Sequence, residues 1–288
     1  MGDLMKLTVV PNSLNNLEKY IKIGADAFIF ALKGYCSGYS LELTIDEIKD
    51  IRNKYKDIEI FVAVNKNMFN SELKSLEENL IILDKLNIQG ILFYDLSILN
   101  IKLRLNLSVD LVWNQTHMVT NYNTCNYYYD KGVKYGFLAG EITLDEIKEI
   151  KDKTHMRLFA NVFGYPLMSY TRRHLLKNYF ISNGMEMGKN EYLITNNNEE
   201  YKISEEENGN SIFYGRLLNG SVIIPLVSLD YVVLNECVEV ELFSKVLDLF
   251  RKLIDSKDVN IVKEIDSLIG DYRGFFFQKT IYKVKKNG

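Results

Sequence analysis

The chain has 288 residues, 47% of them apolar and 25% charged, which is the composition of a globular protein and excludes disordered and fibrous classes. Its 35 basic and 38 acidic residues leave a net charge of −3, so an RNA contact would have to be a local patch. Its three cysteines, Cys36, Cys125 and Cys237, are too few and too widely spaced for a disulfide framework or a zinc ribbon.

Targeting and membrane signals are absent from the sequence. No apolar run approaches the roughly 18 residues that a membrane helix needs, and the first residues do not form a cleavable signal pattern. We therefore expect a cytoplasmic protein without a membrane partner. The length also fits one parallel α/β barrel, so we expect a single domain over residues 1–288.

Short runs of β-branched and aromatic residues alternate with helical patterns along the chain, as in β-α units. Their hydrophobicity is continuous, which is typical of parallel strands buried on both faces. Eight such runs predict a (β/α)8 barrel of the TIM type. The predicted strands are residues 7–10, 27–32, 58–64, 90–94, 109–114, 135–139, 157–163 and 230–236.

Two helix starts are marked by capping boxes. "LTIDEIKDI" places Thr44 three residues before Glu47, and "ITLDEIKEI" places Thr143 three residues before Glu146. In each pair the threonine side chain and the glutamate side chain can satisfy one another's backbone N–H groups. The two stretches predict helices that begin at these threonines.

The alternation breaks in residues 181–228, where Asn, Gly and Glu separate short Tyr and Ile runs. This pattern predicts a β-hairpin excursion between the seventh and eighth strands, projecting from the catalytic face or the rim of the barrel. After the eighth strand, "VEVELFSKVLDLFRKLID" and "VNIVKEIDSLI" predict two closing helices. An extended tail follows them.

Active sites of such barrels lie at the C-terminal ends of the strands, so the polar residues after each run are the candidates. Loops are polar in any barrel, so each candidate also has a structural interpretation, such as a helix cap at Asp95 or Glu141. No metal-ligand spacing of the HExxH kind is present. The predicted ligand-binding residues are Asn65, Asp95, Asn114, Thr116 and His117.

The segment "NVFGYPLMSYTRRHLLKNYF", residues 161–180, holds the densest polar group, and its cations could bind a carboxylate, a phosphate or a base. An exposed basic helix start is the alternative. If the protein is hydrolytic, Glu141 or His174 would be the general base and an arginine the oxyanion partner. A Cys36 thiolate is a weaker alternative, and no GxSxG, P-loop or dinucleotide motif is present. The predicted catalytic residues are Glu141, His174, Arg172, Arg173 and Tyr170.

Several segments, in order and spacing, resemble the collagenase-like peptidase family, peptidase family U32. They are "NSLNNLEKYIKI" followed by "GADAFIFALK", "FVAVNKNMFNSELKSLEENLIILDKLNIQGILFYDLSIL", "LAGEITLDEIKEI" and "GFFFQKTIYKVKK". The resemblance implies a barrel-like fold and a bacterial cytoplasmic protein. It also implies relatives with claimed proteolytic activity and relatives that take part in hydroxylating RNA or quinones with an iron–sulfur cluster.

The resemblance does not extend to the cysteines that bind the iron–sulfur cluster in relatives. Relatives carry a "HGALCxxYSGRCLLSNY"-like segment with two cluster cysteines, and here Leu167 and His174 stand in their places. No cysteine lies between Cys125 and Cys237, and a typical cluster needs four thiolates. We therefore expect a divergent member without cofactor.

Three functions remain open at this point. The first is a cluster-free, peptidase-like protein with a pocket for a peptide or a small molecule at the strand ends. The second is a non-catalytic partner of an active paralogue. The third is an RNA-modification protein whose phosphate contacts are Arg172, Arg173 and Lys177 together with the basic tail, Lys283, Lys285 and Lys286.

Overall fold

The structure is a computed structural model that describes residues 4–115, 117–196 and 199–279. In chain order its strands are β1 (Lys6–Val10), β2 (Ala27–Leu32), β3 (Glu42–Leu43), β4 (Glu59–Val64), β5 (Gly90–Phe93), β6 (Leu111–Trp113), β7 (Tyr135–Phe137), β8 (Arg157–Gly164), β9 (Leu167–Thr171), β10 (Glu191–Asn196), β11 (Glu199–Glu206), β12 (Gly209–Tyr214), β13 (Leu218–Asn219) and β14 (Tyr231–Asn235). Its helices are α1 (Leu17–Ile23), α2 (Ile45–Lys54), α3 (Leu73–Lys85), α4 (Leu96–Leu105), α5 (Tyr122–Asp130), α6 (Leu144–Lys153), α7 (Leu175–Ser182), α8 (Val240–Ser256) and α9 (Val259–Ile269).

The prediction of a (β/α)8 barrel is confirmed. β1, β2, β4, β5, β6, β7, β8 and β14 are parallel neighbours in this order, and β14 pairs with β1 to close the ring. Each coincides with one of the eight apolar runs. Short strands at the rim, β3 and β13, extend β2 and β8. Among the described residues, no helix is long and apolar enough to cross a bilayer.

The barrel interior is filled by aromatic side chains near the N-terminal ends of the strands. Phe159 and Tyr231 stack at 4.1 Å between ring centroids, and Phe61 meets both edge-on. The Tyr231 hydroxyl donates to Glu59, which also pairs with Lys6. This end of the barrel is therefore sealed by packing and by a satisfied polar layer.

Both predicted capping boxes form at their helices. At the start of α2 the Thr44 side chain accepts a hydrogen bond from the Glu47 backbone N–H. At the start of α6 the Thr143 side chain accepts one from the Glu146 backbone N–H. Each glutamate side chain accepts the threonine N–H in return. A cap of this kind contributes about 1 kcal/mol, so these two starts are encoded locally.

An inserted sheet lies between β8 and β14, as predicted, but it is larger than a hairpin. β10 and β11 form the hairpin, and β12 and β9 extend it to four antiparallel strands in the order β10-β11-β12-β9. The insertion therefore starts near residue 167 and not near residue 181. Segment 167–171 pairs with residues 210–213, and a contact across that separation leaves no local sequence pattern.

Candidate functional site

One half of the barrel mouth is filled by the loop that follows β2. In this loop, residues 33–41, Cys36 is 1% exposed and belongs to the interior apolar cluster, against which Tyr39 also packs. Asn65, after β4, holds the loop with two hydrogen bonds, accepting from the Ser37 N–H at 3.1 Å and donating to the Ser37 carbonyl at 3.2 Å. Asn65 thus positions a loop here.

A buried ion-pair network lies beside that loop. Lys66 is 2% exposed, and its ammonium donates to Glu72 at 2.7 Å. Arg172, from the insertion, donates to both Glu72 oxygens at 2.7 and 3.1 Å, donates to the Asn67 carbonyl, and stacks over Phe69 at 3.8 Å. Partial burial opposes ionisation of Glu72, but hydrogen bonds from Arg172 and Lys66 outweigh it and lower its pKa to about 2.

The turn between β11 and β12 completes the cover on this side. The buried Asn208 accepts from Lys66 at 3.0 Å and donates to the Cys36 carbonyl at 3.1 Å. Tyr170 donates its hydroxyl to the Asn208 carbonyl at 3.0 Å, and burial raises its pKa to about 12. We call the loops 33–41 and 65–72 with the inserted sheet above them the closed half of the mouth.

Arg173 and His174 lie between β9 and α7. His174 precedes α7, with its Nδ1 3.5 Å from a Glu205 oxygen. Glu205 is buried and accepts from the Leu176 N–H at 2.7 Å, so it caps the helix that His174 begins. Arg173 is exposed. The two are thus neighbours of Arg172 in sequence but do not join the network around Glu72.

Glu206 is a partly buried carboxyl group at the boundary between insertion and barrel. Burial raises its pKa to about 7, and the charge of Glu42 adds to the rise, against a hydrogen bond from the Gly38 N–H. Glu42 itself accepts from the Gly34 N–H at 3.0 Å, next to the same loop. Above neutral pH the Glu206 carboxylate of the inserted sheet and the Glu42 carboxylate beside the closed half therefore repel one another.

The other side of the mouth, at the ends of β6, β7, β8 and β14, is accessible, and we call it the open half. Here His117 and Glu141, each about half exposed, approach to 3.6 Å between Nδ1 and Oε1. They follow β6 and β7, which are neighbours in the barrel. Asn114 is half-buried beside them. A histidine and carboxylate at this spacing can move a proton on a bound ligand.

Two asparagines complete the open half: Asn235, which the sequence places at the end of the eighth strand, and Asn161, which the sequence pattern did not single out. Asn161 is exposed although it lies inside β8 between buried neighbours, and Asn235 at the end of β14 donates to its Oδ1 at 3.2 Å. Asp95, by contrast, caps α4 through the Ser97 N–H and accepts from the Met68 N–H, both at 2.9 Å. Thr116 lies outside the described residues, as do Lys283, Lys285 and Lys286.

The three thiols do not fit an iron–sulfur cluster. Cys36 lies inside the barrel, Cys125 in the layer between strands and helices, and Cys237 is half-buried after β14. Burial raises the pKa of all three, to about 11 for Cys125 and Cys237, so they remain protonated at neutral pH. A cluster needs convergent thiolates, and these side chains do not converge. The burial of Cys36 also makes it a poor nucleophile.

Comparison with known proteins identifies the relatives of this arrangement. A sequence profile of Peptidase family U32 matches residues 12–269. The tRNA hydroxylation protein P2 of Bacillus subtilis is 26% identical over 96% of this chain and 99% of its own length. A solved structure of a U32 peptidase superposes with a TM-score of 0.53 at 12% identity, covering 83% of this chain and 95% of that one, and shows the same fold.

Two longer relatives match only in part. The tRNA hydroxylation protein P1 of Bacillus subtilis is 24% identical over 64% of this chain and 44% of its own length. An uncharacterized protease of Methanocaldococcus jannaschii is 27% identical over 64% of this chain and 47% of its length. The matching region thus spans about half of each of these two proteins.

Proposed function

The chain belongs to peptidase family U32, and from that premise we propose that it takes part in the hydroxylation of transfer RNA. The observation that carries the proposal is the end-to-end similarity to a protein named for this process, which covers nearly all of both chains. We propose a bacterial cytoplasmic protein, because the relative that matches end to end is from Bacillus subtilis and its named process acts on tRNA. The proposed ligand is therefore RNA.

We propose that the open half is the part that meets the RNA. The His117 and Glu141 side chains are accessible there, whereas Arg172 and Tyr170 are engaged with Glu72 and Asn208 in the closed half. The net charge of −3 supplies no general attraction for phosphate, so we expect binding to depend on local contacts.

A second candidate role is that of a partner to a cluster-bearing paralogue. It is favoured by the separation and burial of the three thiols, which leave this chain without a convergent thiolate set. It is also supported by the similarity to two proteins of one organism, both named for tRNA hydroxylation. In this role the chain would bind or position the RNA, and the partner would carry the cluster.

The test is complementation of a Bacillus subtilis strain that lacks its P2 protein. We expect expression of this chain to restore the nucleosides that are one oxygen atom heavier, measured by mass spectrometry of digested tRNA. The empty vector is the control. A chain that is folded and abundant in the strain but restores none of them would contradict the proposal. Restoration only when the P1 gene is present would favour the partner role.

Peptide hydrolysis is the alternative that the family name suggests. The open half holds two side chains that could act as general bases, His117 and Glu141. Cys36, however, is buried and protonated, so it does not supply a thiolate nucleophile. A panel of unstructured peptides incubated with the purified chain tests this alternative. Cleavage that disappears in Glu141→Gln would favour hydrolysis over RNA modification.

A further inference from the structure

β8 is bulged at the barrel mouth. β14 pairs first with Asn161 and then with Phe163, so Val162 is an extra residue in β8. The Val162 carbonyl accepts instead from the Gly220 N–H at 2.7 Å. Bulges at barrel rims redirect side chains and often lie beside functional sites. Here the bulge coincides with the exposure of Asn161, although Ala160 and Val162 on either side are buried.

Asn235 is held in one place against the bulge. Its Nδ2 donates to Asn161 Oδ1 and to the Phe163 carbonyl, both at 3.2 Å. Gly164 makes this placement feasible, since it has a φ of +135° and a Cβ there would lie 2.9 Å from the Asn235 Cβ. The two amides are thus a preorganised pair fixed by the strand geometry.

The pair has unused hydrogen-bonding capacity. Both N–H groups of Asn235 are engaged, but within the described part of the chain its Oδ1 accepts no hydrogen bond, and the Asn161 Nδ2 donates none. An acceptor and a donor therefore lie side by side at an accessible position. A nucleobase edge carries the complementary donor and acceptor, which is why side-chain amides bind bases with two hydrogen bonds.

A buried aromatic layer lies below the amides. Phe137, at the end of β7, is 8% exposed and stacks on Phe159 at 5.7 Å with an interplanar angle of 15°. Phe159 precedes Asn161 by two residues in β8, so both side chains belong to the inward face of the strand. This covered aromatic layer therefore forms the floor beneath the amides, and a base that enters the mouth meets the amides at its edge.

We propose that the Asn161–Asn235 pair binds the edge of an unpaired nucleobase of tRNA. This inference rests on the proposed function and locates its substrate. The base must leave its stack to enter the mouth, which costs a few kcal/mol in a duplex and least in a loop. The site therefore selects unpaired bases, and His117 with Glu141 lies at the adjacent strand ends.

The test compares two labelled RNAs by fluorescence anisotropy at fixed salt. One is a hairpin with an unpaired loop, and the other is a blunt duplex with the same stem. Wild-type protein is expected to prefer the hairpin. Asn161→Ala and the near-isosteric Asn161→Leu are expected to lose this preference by about tenfold or more, since each removes the paired amide contact to the base. Duplex binding should not change.

Asn100→Ala, at an exposed position of α4, is the matched control and should bind both RNAs as the wild type does. Because Asn161 is exposed, its variants are expected to fold, and thermal unfolding checks this. The inference is overturned if wild-type protein shows no hairpin preference, or if both Asn161 variants keep it. If the Asn161 variants keep the hairpin preference while the wild-type chain restores tRNA hydroxylation, the proposed base-binding site is wrong and the proposed function stands.

Discussion

The two halves of the barrel mouth differ in what their polar residues contact. In the closed half, Lys66, Glu72 and Arg172 satisfy one another and hold the inserted sheet on the barrel. In the open half, His117, Glu141 and Asn161 are accessible to a ligand. Polar residues at strand ends are therefore not equivalent. Those that are buried and paired with one another support the fold, and those that are accessible can bind a ligand.

The segment in which the family resemblance implies cluster cysteines has a structural role in the closed half. Leu167 is part of β9, and Arg172, between the positions of Leu167 and His174, reaches Glu72 on the barrel. The contacts in this region are ionic and hydrogen-bonded, and they attach the insertion to the barrel. Changes in the closed half should therefore affect stability first, and changes in the open half should affect function first.

The largest effect is expected for Glu72→Gln in the closed half. The substitution leaves the Lys66 ammonium buried without a carboxylate, and breaking a buried pair in this way costs about 3–5 kcal/mol. The free energy of unfolding from urea titration measures the loss. Glu77→Gln, which removes an exposed pair with Arg104, is the control and should cost less than about 1 kcal/mol. Equal losses would contradict the supporting role of Glu72.

A smaller loss is expected for Gly164→Ala at the bulge of β8. Its φ of +135° and the close approach of Asn235 disfavour a Cβ, and strain of this kind costs about 1–3 kcal/mol. The midpoint of thermal unfolding should fall, and the hairpin preference should weaken because Asn235 is displaced. Gly188→Ala, with open space around the Cβ position, should be neutral. An unchanged Gly164→Ala protein would show that the Asn235 placement is not constrained.

A pH-dependent effect is expected for Glu206→Gln. A carboxyl group whose folded pKa is raised from 4.5 to about 7 binds its proton more tightly when folded. Its stability contribution is therefore present below about pH 4.5 and is lost as the pH rises through 7. Glu206→Gln should match the wild type near pH 5 and exceed it by about 1–2 kcal/mol at pH 8. Parallel stability curves for the two proteins would contradict the raised pKa of Glu206, to which burial contributes most and the charge of Glu42 adds.

The smallest change in stability is expected for His117→Ala in the open half. Both members of the His117–Glu141 pair are about half exposed, so the free energy of unfolding should change by less than about 0.5 kcal/mol. Function should change most, because the pair lies where the ligand is proposed to bind. Hydroxylated nucleosides in the complemented strain are the readout. A large loss of stability would instead place His117 among the supporting residues.

The fold was predictable because its signals are local. Eight continuous apolar runs mark the barrel strands, and Thr44 and Thr143 mark helix starts within nine residues of sequence. The inserted sheet was predicted as a hairpin and has four strands, because β9 pairs with β12 about forty residues later and this pairing leaves no local pattern. Its strands are partly exposed on both faces, which also weakens their hydrophobic pattern.

The candidate site was predictable only in part. His117 and Glu141 follow neighbouring strands of a barrel, so their proximity can be deduced from the strand order. Asn161 was missed because it lies within an apolar run, and only the bulge exposes it. The pairing of Arg172 with Glu72 joins residues that are 100 positions apart, and no sequence spacing indicates it.

The central claim is that the open half carries the function in tRNA hydroxylation and that the closed half supports the fold. The direct measurement is the amount of hydroxylated nucleoside in tRNA from the Bacillus subtilis strain lacking P2, complemented with His117→Ala or with Glu206→Gln. The account predicts loss of hydroxylation with His117→Ala at normal protein levels, and full hydroxylation with Glu206→Gln. Full hydroxylation with His117→Ala and loss with Glu206→Gln would contradict it.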